Sequence, residues 1–221
     1  MTGFDVEAEV KKELSALIEK SKDLQSGEKI YEGPEGICFA SYRLQWYDRD
    51  LRKIDPPDEI NGIFNCSYTS ITSLEGCPKV VNSHFSCSYT DITSLKGCPE
   101  IVDGGFLCNN TKITSLEGAP EKVGGSFYCN DTKITSLEGC PEIVNGNFDC
   151  SKTKITSLEG SPREVGGGFW CNYTKITSLE GCPKKVGGSF RCNYTNITSL
   201  KGAPAKIKPI KHSRFPESIS A

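Results

Sequence analysis

One pattern of apolar and polar positions recurs seven times between residues 64 and 207. Each copy reads F-x-C-[SN]-x-T-x-I-T-S-L-x-G-x-P-x-x-[VI]. The copies begin, at a constant step of 21 residues, at Phe64, Phe85, Phe106, Phe127, Phe148, Phe169 and Phe190. The alternation in Phe-x-Cys predicts a short strand with one buried face. The Gly-x-Pro that follows predicts a turn, because Gly permits a positive φ and Pro prevents a helix from continuing.

A single copy is too short to bury its own apolar side chains. Ile, Leu and a final Val or Ile follow Phe at +7, +10 and +17. Stacked copies would bury them in one continuous core, with neighbouring strands about 4.8 Å apart. The pattern therefore predicts a solenoid of strands and loops, with at most a 3₁₀ turn in each unit.

The ends of the chain depart from the repeat and predict caps. Residues 1–63 combine an amphipathic helical pattern, with Val6, Val10 and Leu14 on one face, and a degenerate repeat in which Leu44 takes the place of Phe. Residues 64–207 form the seven-repeat solenoid, and residues 208–221 form a C-terminal capping tail.

The twelve cysteines follow the repeat, which argues against a disulfide framework. Seven share the slot two residues after Phe. Four share a second slot, which holds Ala or Ser in other copies, so this slot requires a small side chain. Free cysteine packs as a small hydrophobic residue, and we expect free thiols in a reducing compartment.

The spacing Phe-x-Cys-x-x-Thr-x-Ile-x-x-Leu resembles the leucine-rich-repeat core L-x-L-x-x-N-x-L-x-x-L. In the last copy the matching residues are Phe190, Cys192, Thr195, Ile197 and Leu200. The family's Asn is Thr here, whose hydroxyl can still bond a neighbouring backbone group. The repeat sequence F-x-C…ITSLEG-x-P is also similar to that of repeat proteins of bacteriophage and bacterial genomes.

This resemblance implies a mainly β, right-handed, leucine-rich-repeat-like solenoid, to which residues 1–63 would add an N-terminal helix and a degenerate capping repeat. In that family the residue between the first two core positions faces outward on the concave sheet, where ligands bind. Here this row is the least uniform of the repeat: Asn65, Ser86, Leu107, Tyr128, Asp149, Trp170 and Arg191. Tyr, Trp and Arg are the residue types that dominate binding hot spots.

Two further rows accompany it. One carries Tyr pairs at both ends of the stack, with Tyr173 and Tyr194 in the last two copies. The other carries four consecutive lysines, including Lys154 and Lys175, which could hold an acidic partner or serve solubility alone. The Tyr pairs could equally stack on each other.

Other chemistry finds little support in the sequence. His84 and His212 have no obvious nucleophile or metal partner, Cys-x-x-Cys is absent, and there is no phosphate-binding G-x-x-x-x-G-K-[ST] loop. We therefore expect no enzymatic activity, no metal and no cofactor. The net charge of −2, with no apolar run of membrane-spanning length and no signal-peptide pattern at the start, predicts a cytoplasmic chain.

The leading hypothesis is a non-enzymatic module that binds a partner protein through Leu107, Tyr128, Asp149, Trp170 and Arg191, with the Tyr and Lys rows beside them. The bacteriophage likeness implies an inhibitor of a host defence protein, acting in the host cytoplasm. The alternatives are a virion or surface adhesin, a structural or ice-binding solenoid, and a single-stranded nucleic-acid binder, which the interspersed acidic residues disfavour. The sequence also leaves open whether the chain forms a homo-oligomer.

Overall fold

The computed structural model describes residues 31–32, 37–39, 58–198 and 201–203. These residues form a mainly β, parallel solenoid of six to seven turns, with about 21 residues in each turn. The predicted solenoid and its period are confirmed. The predicted N-terminal helix, most of the degenerate repeat and the capping tail lie outside the described residues.

Two sheets run along the solenoid. The first holds nine described strands: β1 (Tyr31–Glu32), β2 (Ile37–Phe39), β4 (Phe64–Asn65), β6 (Phe85–Ser86), β8 (Phe106–Leu107), β10 (Phe127–Tyr128), β12 (Phe148–Asp149), β14 (Phe169–Trp170) and β16 (Phe190–Arg191). The second holds seven: β3 (Glu59–Ile60), β5 (Val80–Val81), β7 (Ile101–Val102), β9 (Lys122–Val123), β11 (Ile143–Val144), β13 (Glu164–Val165) and β15 (Lys185–Val186). The antiparallel pair β1–β2 apart, neighbouring strands are parallel.

The second sheet was not predicted. The final Val of each copy was assigned only to the core, yet with the residue before it this Val forms a two-residue strand in every described turn. Val81, for example, is fully buried, and its neighbour Val80 is only partly exposed. Strands this short give almost no period-2 signal in the sequence, so the second sheet is apparent only from the pairing of turns.

Pairing in both sheets follows the repeat. Phe148 aligns with Phe169 and Val144 with Val165, each a shift of one copy. The first turn differs from the sequence expectation: Cys38, rather than Leu44, aligns with Phe64. The strand that pairs with β4 on its N-terminal side in the first sheet is therefore β2 (Ile37–Phe39).

The core is a set of ladders, each made of one residue type. Wherever the structure describes them, the Phe, Cys, Ile, Leu and Val of the copies lie inside the solenoid, and most are fully buried. Consecutive Phe rings stack with centroids 5.1–5.7 Å apart. Each turn covers the apolar side chains of its neighbours, as the hydrophobic pattern predicts.

The first Thr of each copy forms a hydrogen bond inside the fold. Its hydroxyl donates a hydrogen bond to the carbonyl oxygen of the Cys three residues earlier, as Thr132 does to Cys129 at 2.7 Å. The predicted bond between the Thr hydroxyl and the backbone is confirmed. Each of these seven Thr residues is buried, so only the second Thr of each copy, such as Thr135, is exposed.

A glycine turn follows the Leu of each copy. In the turn after Leu137, Gly139 has a φ of +89° and Cys140 donates its N–H to the carbonyl of Leu137. A Cβ on Gly139 would lie only 2.8 Å from the carbonyl oxygen of Leu116 in the previous turn. The turn therefore requires glycine both for its φ and for the close approach of neighbouring turns.

Candidate functional site

The register of the first sheet brings the variable residues into one row, which we call the outward row. Tyr128 pairs with Asp149, Asp149 with Trp170, and Trp170 with Arg191. Leu107 pairs with Tyr128 at the other side. The sheet thus places at successive turns the residues that the sequence selected as a binding surface.

Exposure along the outward row is graded, which the sequence does not predict. Asn65, Ser86 and Leu107 are buried, and Leu107 is only 3% exposed. Tyr128, Asp149 and Trp170 are partly buried, and Arg191 is exposed. The expectation that Leu107 lies on an exposed face therefore needs correction, because its side chain is almost completely covered.

Tyr128 and Trp170 approach each other across the turn of Asp149. Their strands are two steps apart, about 9.6 Å, yet the ring centroids are 6.5 Å apart and the planes differ by 16°. The two rings therefore lean toward each other. The indole Nε1 donates to Ser189 Oγ at 3.2 Å, and the Nδ2 of Asn147 donates to the Tyr128 hydroxyl at 3.4 Å.

Arg191 completes this arrangement from the next turn. Its guanidinium carbon lies 5.4 Å from the centre of a Trp170 ring, within the range of a cation–π contact. Tyr128 belongs to an earlier turn than Trp170, and Arg191 belongs to a later one. We call Tyr128, Asp149, Trp170 and Arg191 the aromatic cluster.

The position before each Phe shapes this cluster, and sequence reasoning missed it. A Cβ on Gly168 would lie 2.6 Å from Trp170 Nε1, so this glycine makes room for the indole. Asn147 and Ser189, which bond Tyr128 and Trp170, occupy the same position in neighbouring copies. The signal was present, because this position holds seven residues of varied type where the core positions hardly vary.

The same position also supports the backbone of the next turn. Ser126 Oγ accepts the N–H of Asn147, and Asn147 Oδ1 accepts the N–H of Gly168 at 2.7 Å. His84, for which the sequence showed no partner, accepts the N–H of Gly105 at its Nδ1 at 2.7 Å. His84 thus has a structural contact in the sheet.

Asp149 is the charged residue at the centre of the cluster. Burial raises the pKa of its carboxyl above the ordinary value, and the negative charge of Asp131 raises it further. Hydrogen bonds from Ser151, whose N–H lies 2.8 Å from Asp149 Oδ1, and the charge of Lys152 act in the opposite direction. Within residues 58–198 no cation forms an ion pair with Asp149, so burial of this charge is only partly compensated.

The Tyr row stacks on itself. Tyr173 and Tyr194 are 54% and 61% exposed, and their centroids are 4.5 Å apart with nearly parallel planes. Tyr68 and Tyr89 form the same contact at 4.6 Å near the other end. The stacking alternative that the sequence left open is therefore observed, although the outer faces stay exposed.

This row also carries an unexpected backbone conformation. All seven residues have φ between 55° and 59°, in the left-handed region: Tyr68, Tyr89, Asn110, Asp131, Lys152, Tyr173 and Tyr194. Asn and Asp tolerate this region, whereas Tyr and Lys adopt it at a cost of about 1–2 kcal/mol each. The stack imposes the conformation, since the N–H of Lys152 and its counterparts pair with the next turn.

The lysine row is exposed beside the Tyr row. Lys112 pairs with Asp91 at 2.7 Å. Lys154 and Lys175 form no ion pair with another described residue, and both are exposed. The cationic row is therefore accessible, as a solubilising or a binding role would each require.

The eleven cysteines whose side chains the structure describes are free thiols. Burial raises the pKa of Cys98 and Cys140 to about 12 and that of Cys182 to about 11. The fully buried Cys129 shifts in the same direction, again chiefly through burial. These thiols stay protonated at neutral pH, which suits packing better than nucleophilic chemistry.

The described residues contain no group of three or more His, Cys, Asp or Glu side chains arranged to hold a metal ion. They also contain no helix long and apolar enough to cross a membrane. Comparisons with protein-family models, curated proteins and solved structures give no match for this chain.

Proposed function

We propose that this chain is a non-enzymatic solenoid that binds a partner protein through the aromatic cluster. The observation that carries the proposal is the fixed geometry of residues that the core does not require. Tyr128 and Trp170 are each held at their polar ends by hydrogen bonds, and Arg191 packs on Trp170. Rigid side chains of these types lose little entropy on binding and are frequent hot spots.

The surroundings support a protein partner. The exposed Tyr173–Tyr194 pair and the accessible Lys154 and Lys175 extend the surface with amphipathic and cationic side chains. Leu107 is not part of this surface, because it is buried. The partner would therefore meet the C-terminal turns of the first sheet.

A narrower form of the proposal concerns family and source. The repeat residues resemble leucine-rich repeats and bacteriophage repeat proteins, and we infer from this resemblance a phage-encoded inhibitor of a host defence protein. This narrower proposal depends on the spacing and the amino-acid sequence of the repeat. It fails if the chain copurifies with virus particles, which would identify a virion adhesin instead.

The test is affinity capture from a lysate of the cells in which the chain occurs, read by mass spectrometry. The wild type is compared with Tyr128→Ala/Trp170→Ala/Arg191→Ala. The matched control is Lys122→Ala/Ile143→Ala/Lys185→Ala, which alters exposed residues of the second sheet. A protein retained by the wild type and the control but lost from the first variant supports the proposal. Identical capture by all three baits overturns it.

A further inference from the structure

The gap between Tyr128 and Trp170 is slightly narrower than a slot for a planar group. Consecutive Tyr rings elsewhere on the solenoid stack at 4.5–4.6 Å, whereas these two rings are 6.5 Å apart. A planar group in contact with both rings needs about 7 Å, twice an ordinary carbon–carbon contact of about 3.5 Å. Because the distance between two ring planes is never larger than the distance between their centroids, the rings would have to separate by at least about 0.5 Å to hold such a group.

The charge at the slot favours a cation. The Asp149 carboxylate comes from the turn between the two rings, and among the described residues it has no ion-pair partner. A cation between two aromatic faces gains from both ring quadrupoles and from the carboxylate. The slot therefore combines three groups that attract the same kind of ligand.

We propose that the slot binds the guanidinium group of an arginine on the partner protein. The planar guanidinium can contact Tyr128 and Trp170 with its two faces and donate hydrogen bonds to Asp149 from its edge. This proposal rests on the protein-binding function above and names the side chain that the surface recognises. An ammonium group matches the slot less well, because it is not planar.

The chain already contains one example of this contact. Arg191 places its guanidinium over Trp170, with the Cζ atom 5.4 Å from the ring centre. Tyr128 lies on an earlier turn than Trp170, and the described residues form no other cation–π contact with each other. An arginine of the partner would extend the stack by one member, with Asp149 between it and the sheet.

The copy that begins at Phe64 shows what the control variant Asp149→Asn should look like. Asn65 occupies the position of Asp149, and its Oδ1 accepts the N–H of Ser67 at 2.9 Å, as Asp149 Oδ1 accepts the N–H of Ser151 at 2.8 Å. Asp149→Asn should therefore keep the local hydrogen bond and the fold. It removes only the charge that the proposal requires.

The experiment titrates the ¹⁵N-labelled full chain with the capped tripeptide acetyl-Gly-Arg-Gly-amide. The signal is the indole N–H resonance of Trp170, assigned by its loss in Trp170→Phe. The control peptide replaces arginine with citrulline, which keeps the planar shape and lacks the charge. We expect a saturable shift with arginine, and binding weaker by roughly fivefold or more both with citrulline and with Asp149→Asn.

Three results would overturn the assignment: no saturable shift, equal binding of the citrulline peptide, or equal binding by Asp149→Asn. An equal response to a lysine peptide would overturn the choice of guanidinium. Capture experiments separate this inference from the function on which it rests. A partner lost from the triple variant but retained by Asp149→Asn would leave the protein-binding function standing and remove the slot.

Discussion

Replacing Lys152 and Lys154 with glycine should change stability in opposite directions relative to alanine. The two residues lie on the same exposed loop, two positions apart. Lys152 has a φ of 57°, whereas Lys154 is not among the described residues with a positive φ. Comparing Gly with Ala at each position cancels the loss of the lysine charge, including the ion pair of Lys152 with Asp131.

The magnitude follows from two opposing effects. At position 152, alanine carries the left-handed penalty of about 1–2 kcal/mol. Glycine avoids that penalty but loses about 0.5–1 kcal/mol through its more flexible unfolded chain. Glycine should therefore be the more stable variant at 152 by about 0.5–1 kcal/mol, and alanine the more stable at 154 by a similar amount.

The assay is urea unfolding of the four variants, followed by circular dichroism, with the free energy of unfolding taken from the midpoint and the slope. An unchanged slope is required, since a repeat protein can lose cooperativity. The same sign of the Gly–Ala difference at both positions would refute the reasoning. If alanine is the more stable variant at both positions, the stack does not force a left-handed backbone at Lys152.

Three further outcomes are expected. Phe148→Ala removes a fully buried ring that stacks on Phe127 and Phe169. This variant should lower the free energy of unfolding by about 3–5 kcal/mol in the same assay. A loss below about 1 kcal/mol would contradict a core made of stacked Phe rings. Asp149→Asn should be more stable than the wild type at pH 7, because the pKa of the Asp149 carboxyl is raised in the folded state. The free energy of unfolding of the wild type therefore falls as pH rises from the pKa of this carboxyl in the unfolded chain toward its pKa in the folded chain. Unfolding midpoints should therefore converge below about pH 3.9, the ordinary carboxyl value, and a difference that does not depend on pH would refute this account. The third outcome concerns Cys98 and Cys140, whose thiol pKa burial raises to about 12. In a Cys38→Ser background, these thiols should react with a disulfide reagent at pH 8 about 10³-fold more slowly in the folded chain than in the urea-unfolded chain. Equal rates would show that the thiols are accessible and ionised.

The sequence predicts the solenoid because its core positions are almost invariant. Phe, Cys, Ile, Leu and Val recur at one step, and only stacking can bury them. The left-handed row is far less visible, since Tyr68 and Lys152 are poor indicators of a positive φ. Their conformation comes from the pairing of turns and not from local preference.

The candidate site is predicted in position but not in form. The sequence identifies Tyr128, Trp170 and Arg191 as outward residues, because they alternate with buried Phe and Cys. It does not show that the first two lean together, since this depends on side chains in other turns, Asn147 and Ser189. The burial of Leu107 is equally a property of the assembled fold.

The constant register also makes the solenoid a ruler. Positions on one row are separated by whole steps of about 4.8 Å, so the Tyr68–Tyr89 and Tyr173–Tyr194 pairs begin five steps apart, about 24 Å along the axis. Removal of the 21 residues 106–126 would shorten that distance by one step and leave Tyr128, Asp149 and Trp170 adjacent as before. The number of turns therefore fixes the distance between the two Tyr pairs, whereas the arrangement of Tyr128, Asp149 and Trp170 depends only on the turns that carry them.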